Sequence, residues 1–536
     1  MRADLRGTLT VAALYALANA GLRLVGGNRL AMDDAKTNLF TQVWRWGYQA
    51  DNPPLYEWLM GCLHVVTGGG LWSFLVLNAV CLTAAAGFIH ASVRPWTGER
   101  AAFGTACGLV LLYQVGWNYH QAFTHSALLL VMVAVGLWAG SRLVRAPTPS
   151  AYLSFGLALG LGMMAKYNFA LFALGFLGAA LTTPHGRRAV MSPWMLASLV
   201  VAALILAPHA AWLAGRADVY ASTLPDTLGL AGSRLGRTAE GAVSLAVAVI
   251  SFFLPWALVY CYLRWRIVPP RAGGPNPSAE GPRGGRGADG LLRNLPPRDR
   301  RSRSPHEWGD RAPGSELALL LRTALIATTL IFLGVLVFGI GAVSERYVIP
   351  ALLPAYAGLT GSLLAARPAA LRPYLLASLA AAVLISGMRL AGFLVPGPPF
   401  CEDCRAFVPY EALTEILRET VPADAILLAR EENTAGNLVA AFPRARVTSL
   451  NLLTQFNPAT PADAARPCYY VWSEDMTGGV PLFPVFRFAH DDPRTVMVDA
   501  PWRHPLREPG FRRTVWGVTP LEGPLYARFC AADAPG

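Results

Sequence analysis

Apolar runs of about 20 residues recur through the first 395 positions of this 536-residue chain, and that feature limits its fold more than any other. A run of that length spans the ~30 Å hydrocarbon core of a bilayer as a helix whose backbone groups are all satisfied internally. We read eleven spans: 8–26, 70–92, 101–117, 124–141, 150–165, 167–183, 193–215, 241–263, 317–340, 347–366 and 373–395. Composition agrees. The chain is 54% hydrophobic and only 15% charged, where soluble proteins carry ~25% charged residues. Arg2 and Arg6 precede the first run, but no small-residue cleavage site follows it, so the run reads as a retained span and not as a secretory signal.

The net charge of +12 comes almost wholly from arginine, since Lys36 and Lys166 are the only lysines. These arginines sit in short loops, as the positive-inside rule expects, and do not form a nucleic-acid footprint. With a cytoplasmic N-terminus, the inside loops hold Arg94 and Arg100, Arg142 and Arg145, Arg187 and Arg188, and Arg367 and Arg372. The largest inside loop, 264–315, holds eleven arginines against five acids. It is rich in Pro, Gly and Ser and is expected to be a disordered linker. The alternate connections are poor in basic residues. The expectation is a polytopic α-helical membrane protein, with residues 1–395 as its membrane domain and 27–69 as a first loop on the outer side.

Residues 396–536 change character. "YEALTEILRETV" and "NTAGNLVAAF" have helical periodicity, while "AILLAR", "RVTSLN" and "CYYVWS" read as strands. A small periplasmic α/β domain is expected there. Cys401, Cys404, Cys468 and Cys530 fall in it, and an even number of cysteines in an oxidising compartment points to disulfides whose pairing spacing does not fix. Cys62, Cys81, Cys107 and Cys261 lie in or beside apolar runs, where thiols are ordinary packing.

Polar residues gather on the expected outer side. "DDAKTNLFTQVWRWGY" places Asp33, Asp34 and Lys36 ahead of a helical stripe of Leu39, Phe40, Val43, Trp44 and Trp46, which suits a helix in the interface plane. "NPPLYEWL" follows with Asn52 and Tyr56, its prolines suited to a helix start. "NYHQAFTHS" supplies His120 and His125. "MMAKYNFA" supplies Lys166 and Tyr167 in a turn between spans five and six, and "SERYVIPALLP" supplies Arg346 and Tyr347. Singly, each residue is an ordinary membrane-boundary anchor. Together they furnish carboxylates, cations, imidazoles and aromatic walls at one level, and ionisable groups there need a cavity or a partner.

These stretches in their order, "DDA", "NPPLYEWL", "THSALLL", "GLGMMAKYNFALF" and "ERYVIPALLPAYAGL", resemble the serial motifs of bacterial GT-C glycosyltransferases. The nearest group is the dolichyl-phosphate-mannose mannosyltransferase-like one, which includes the aminoarabinose transferase of lipid A and the rhizobial lipopolysaccharide galacturonosyltransferases. The resemblance covers roughly residues 10–395. It implies inverting transfer of a sugar from a polyprenyl-phosphate donor to a lipid, glycan or protein acceptor of the cell envelope, at the periplasmic face. The family's acidic pair falls on Asp33 and Asp34, its lysine on Lys166 and its Arg-Tyr on Arg346 and Tyr347. Asn52 stands where the family carries a basic residue, and His125 where it carries an aspartate.

The residue types suit that chemistry. A carboxylate base on the acceptor hydroxyl is worth typically ~10²–10⁴-fold, and Asp33 is the first choice, with Asp34 orienting it or touching the acceptor. The leaving lipid phosphate needs charge stabilisation, for which Lys166, Arg346 and Lys36 are available. Asn52, Tyr56, His120, His125, Tyr167 and Tyr347 are the expected substrate contacts. Neither a nucleotide-binding glycine loop nor a clear D-x-D metal site is visible, and a donor with one phosphate has less need of a metal, so no cofactor is the first expectation and a divalent metal bridged by Asp33 and a histidine the less favoured alternative. Two other classes compete: a transporter or flippase of lipid-linked sugars, and a non-catalytic envelope assembly protein. Transporters often carry internal repeats and midplane charges; neither is visible here.

Overall fold

The computed structural model describes residues 3–27, 29–49, 51–121, 123–216, 229–230, 232–266, 313–395, 407–452, 465–473, 489, 492–504, 506 and 512–531. The 264–315 linker lies almost wholly outside these residues, as do Cys401 and Cys404.

The helices of the first part are α1 (Leu5–Val25), α2 (Met32–Phe40), α3 (Leu55–Thr67), α4 (Leu71–Thr97), α5 (Glu99–Cys107), α6 (Tyr113–Gly116), α7 (His125–Arg145), α8 (Pro149–Ala165), α9 (Phe169–Leu181), α10 (Pro184–Val190), α11 (Trp194–Ala214), α12 (Arg234–Arg266), α13 (Pro313–Phe338), α14 (Ile349–Ala366) and α15 (Leu371–Leu394). Among the described residues, eight helices are long and apolar enough to cross a membrane, and α8 and α9 are shorter apolar helices. These ten coincide with ten of the eleven expected spans. The chain is a multi-pass membrane protein.

The remaining expected span, 101–117, is not one helix. It runs as α5, a 3₁₀ turn over Gly108–Leu111, an extended Leu112 and the single turn α6. The segment is enclosed by protein on nearly all sides, and the Tyr356 hydroxyl donates to Thr105 O at 2.6 Å, engaging the carbonyl that would accept from Leu109 in a continuous helix. Non-helical backbone at membrane depth is tolerated where protein buries it.

The bundle packs α4 on α7, α7 on α8, α8 on α11, α9 on α13 and α13 on α14. Small residues permit the closest crossing. A Cβ on Gly156 of α8 would lie 2.6 Å from Ser198 O of α11, and one on Gly160 would lie 2.8 Å from Ile205. This small-x-x-x-small spacing lets membrane helices approach where lipid gives no hydrophobic drive.

The C-terminal part is an α/β unit with helices α16 (Tyr410–Thr420), α17 (Glu432–Val439) and α18 (Gly523–Phe529) and strands β1 (Ile426–Ala429), β2 (Arg446–Ser449), β3 (Cys468–Ser473), β4 (Val496–Pro501) and β5 (Arg513–Leu521). The sheet order is β2-β1-β3-β5-β4. β1 pairs parallel with β2 and β3, and β5 pairs antiparallel with β3 and β4. A disulfide joins Cys468 to Cys530, tying β3 to the end of α18.

Where the expected interfacial helix differs, the sheet explains it. α2 ends at Phe40 and does not continue through the tryptophans. Gln42 draws the chain away, its amide donating to Leu39 O and Val447 O and its carbonyl accepting from Val447 N. Such side-chain bonds compete with the helix. Leu39 and Phe40 then join the core of the C-terminal sheet with Leu413, Leu417 and Trp516 and do not face lipid. Trp44 and Trp46 remain about half exposed.

Candidate active site

α2 and α17 lie against each other, so the first loop and the C-terminal unit sit at one end of the bundle. Asn38 donates to Gly436 O at 2.8 Å, and Leu30 N donates to Asn437 Oδ1 at 2.9 Å. Gly436 is required there: a Cβ on it would lie 2.2 Å from Ala35 O. This contact fixes α2, which supplies Asp33 and Lys36 to a cavity of about 620 Å³.

The cavity also receives Gln49, Asp51 and Asn52 from the first loop, Thr124 and His125 from the start of α7, Lys166, Tyr167 and Asn168 from the α8–α9 turn, and Arg346 and Tyr347 from the segment before α14. Leu330, Ile331, Val335 and Phe338 of α13 form an apolar wall. Eight of the eleven expected residues fall at or beside this space. Asp34, Tyr56 and His120 do not line it.

Successive residues on a helix point about 100° apart, and the acidic pair divides accordingly. Asp33 is half exposed to the cavity, and Arg346 Nη1 stands 3.6 Å from its Oδ2. Asp34 is fully buried and accepts from Phe123 N at 2.8 Å and Ala31 N at 3.3 Å. Burial raises its carboxyl from 3.8 to about 7 despite those two bonds and the charge of Arg23. Asp34 therefore joins α2 to the chain entering α7.

Lys166 is held at the cavity wall. Its ammonium donates to Ser126 Oγ at 3.0 Å and lies 5.4 Å from the Tyr347 ring centroid. Burial, with a smaller contribution from the Arg346 charge, pushes it down to about 8. Three cations, Lys36, Lys166 and Arg346, thus face two cavity carboxylates, Asp33 and Asp51. Lys36 also lies near Glu432 of α17, whose carboxyl burial raises while the Lys36 charge lowers it. Tyr167 donates to His209 Nε2 at 2.8 Å, and His209 Nδ1 donates to Trp46 O at 2.8 Å, so that ring's tautomer is set by the carbonyl.

His120 sits behind the cavity, bonded to the Tyr15 hydroxyl at 2.9 Å. Burial and the Arg389 charge push it down to about 3, which leaves it neutral. Tyr56 is buried against His125, ring centroids 4.8 Å apart.

Sequence reasoning missed three participants. Asp51 lines the cavity. Glu57 is completely buried, with Oε1 2.8 Å from His125 Nε2, and Gln49 donates to the same oxygen at 3.2 Å. Asp51 and Glu57 flank the "NPPLY" motif, but an acid in the first turn of a helix reads as a dipole partner. Only the fold reveals that Glu57 points into protein. Among the described residues, no group of three His, Cys, Asp or Glu side chains is placed to hold a metal.

Residues 51–212 match the family of dolichyl-phosphate-mannose-protein mannosyltransferases. The whole fold is similar to that of ArnT from Cupriavidus metallidurans, solved bound to undecaprenyl phosphate, with a TM-score of 0.56 and 14% identity over 95% of this chain and 98% of ArnT. Its apo structure is similar to the same degree, TM-score 0.56. The chain thus has the fold of the GT-C glycosyltransferases and is similar to them in sequence. Its particular relatives include two lipopolysaccharide core galacturonosyltransferases of Rhizobium johnstonii. RgtB is 26% identical over 90% of both chains. RgtA is 32% identical over 45% of this chain, a match that spans about half the length of RgtA, 48%.

Proposed function

We propose that this protein transfers a galacturonosyl residue, with inversion, from a polyprenyl-phosphate donor to the core of lipopolysaccharide at the periplasmic face of the inner membrane. The observation that carries the reading is the single cavity in which Asp33 stands beside Arg346 while Lys166 and Lys36 line the same walls. A galacturonosyl donor brings two anionic groups, a phosphodiester and a carboxylate. Three cations against two acids suit such a ligand, and the named activity of RgtA and RgtB supports the choice of sugar. The apolar wall of α13 suits a prenyl chain, which stays in the bilayer while its phosphate reaches the polar end.

In this reading Asp33 takes the proton of the acceptor hydroxyl. Lys166 and Arg346 hold the leaving phosphate, and Arg346 shifts from Asp33 to phosphate when the donor enters. Asp34 keeps α2 in place. Asn52, Tyr167 and Tyr347 contact substrate from the cavity wall. Residues 1–395 are the catalytic membrane domain, the 264–315 linker is cytoplasmic, and residues 396–536 form a periplasmic domain that closes over the first loop.

The test is a donor panel. Membranes carrying the protein are offered radiolabelled polyprenyl-phosphate galacturonate and polyprenyl-phosphate galactose, with lipopolysaccharide core as acceptor. Covalent label from galacturonate, at least tenfold above that from galactose, is expected. Equal use of both sugars would remove the galacturonate assignment, and label that only changes leaflets would mean a flippase.

A further inference from the structure

We infer that His125, positioned by Glu57, is a second catalytic residue that gives a proton to the leaving lipid phosphate. This rests on the transferase reading above and adds to it a group with no role there.

The pair is built, not incidental. Glu57 is fully buried in the first turn of α3, and a buried carboxylate is costly unless it is paired and hydrogen-bonded. Its Oε1 meets His125 Nε2 at 2.8 Å and the Gln49 amide at 3.2 Å, while Oε2 has no hydrogen-bond partner among the described residues. An ionised carboxylate accepts only, so Nε2 carries a proton. Nδ1 is then the ring nitrogen left for the cavity that His125 lines. The neighbouring residue Ser126 accepts from the Lys166 ammonium, so His125 stands on the side of the cavity where Lys166 is placed for phosphate.

Charge balance favours the assignment. His125 is the first residue of α7, where the helix dipole disfavours an imidazolium, and Lys166 and Arg346 add to that cost. Asp33 and Asp51 across the cavity favour it, as does Glu57 at 2.8 Å, the closest charge of all. Lys36 faces the same space, Tyr167 and Tyr347 line it, and Tyr56 packs on the His125 ring outside it. A donor phosphodiester adds one more negative charge. The dyad is therefore an acid that charges most readily when the donor is bound.

The step balances. The sugar C1–O bond breaks, and its electron pair goes to the phosphate oxygen. That oxygen takes the Nδ1 proton. The acceptor oxygen, having lost its proton to Asp33, forms the new bond to C1. Exchange with water then returns a proton to His125 and removes one from Asp33. A phosphate monoester still takes up a proton near neutral pH, its second pKa being ~6, so an imidazolium can act on it as a general acid.

Wild type, His125→Gln and Glu57→Gln are compared in two assays between about pH 5.5 and 8.5, the range where histidine titrates. The first measures kcat for sugar transfer. Wild-type kcat should fall as pH rises, because the acid must be protonated. Glu57→Gln should lower kcat and change the shape of that profile, and His125→Gln should lower kcat by ~10²-fold and flatten it. The second measures binding of a short polyprenyl phosphate without transfer. Wild-type binding should weaken with rising pH more than that of His125→Gln, which subtracts the phosphate's own titration. Profiles of the same shape in all three proteins, with binding that titrates alike, would overturn the dyad and leave the transferase reading intact. Binding that differs as expected without transfer by any of the three proteins would keep the phosphate contact and remove the transferase reading.

Discussion

Asp33 and Asp34 are neighbours in sequence, yet one faces the open cavity and the other meets only protein. The difference gives each its own prediction. Asp33→Asn keeps the shape of the side chain but removes the base, so turnover should fall by ~10²–10⁴-fold with expression unchanged, measured by transfer on membranes with matched protein levels. Asp34 should instead be read in stability. Its folded-state pKa, about 7, lies above the ordinary value of 3.8, so the neutral form is favoured by folding. Its contribution is complete below about pH 4 and is lost as pH rises through about 7. Melting of the detergent-solubilised protein should therefore drop more steeply between mildly acidic and alkaline pH in wild type than in Asp34→Asn; equal slopes would contradict the burial argument. Lys166 gives a third contrast. Since burial holds it down to about 8, donor KM should rise as pH passes that value. Lys166→Arg should abolish that rise, and Lys166→Ala should raise donor KM at every pH. Arginine that failed to flatten the profile would place the titration elsewhere.

At the scale of elements, the coupling of α2 to α17 matters most. Gly436→Val forces a side chain against the α2 backbone at Ala35, and overpacking of this kind typically costs ~1–3 kcal/mol. Because α2 carries Asp33 and Lys36, the variant should lose transfer activity out of proportion to its fall in melting temperature. Parallel loss of both would make the contact merely structural. The same element marks what was legible in the sequence. Ten apolar spans were legible because length and composition alone determine them. The first two helices and first three strands of the C-terminal unit followed from periodicity, while α18 went unread, as did β4 and β5 in "TVMVDAP" and "RTVWGVTPL", where proline and glycine interrupt the alternation. The broken passage over 99–116 was not legible, since its break answers to a tyrosine hydroxyl 251 positions away. In the site, Asp33, Lys166 and Arg346 stood out as charges at a membrane boundary. Glu57 did not, because only tertiary packing shows which way a first-turn acid points.

At the scale of the molecule, a bundle of apolar helices and a sheet domain meet at the first loop, beside a cavity lined by the bundle and that loop. In the orientation we propose, a reporter fused after residue 290 should be cytoplasmic and one after residue 400 periplasmic. Reversal would put the cavity on the wrong side for an envelope acceptor. The most direct measurement of the central claim is transfer in a defined system: purified protein, polyprenyl-phosphate galacturonate labelled in the sugar, and lipopolysaccharide core, followed through a single turnover. Label should move covalently to the core with inverted anomeric configuration, and Asp33→Asn should slow the step by ~10²-fold or more. Label that stays on the lipid, or that moves as fast with Asp33→Asn as with wild type, would contradict the claim.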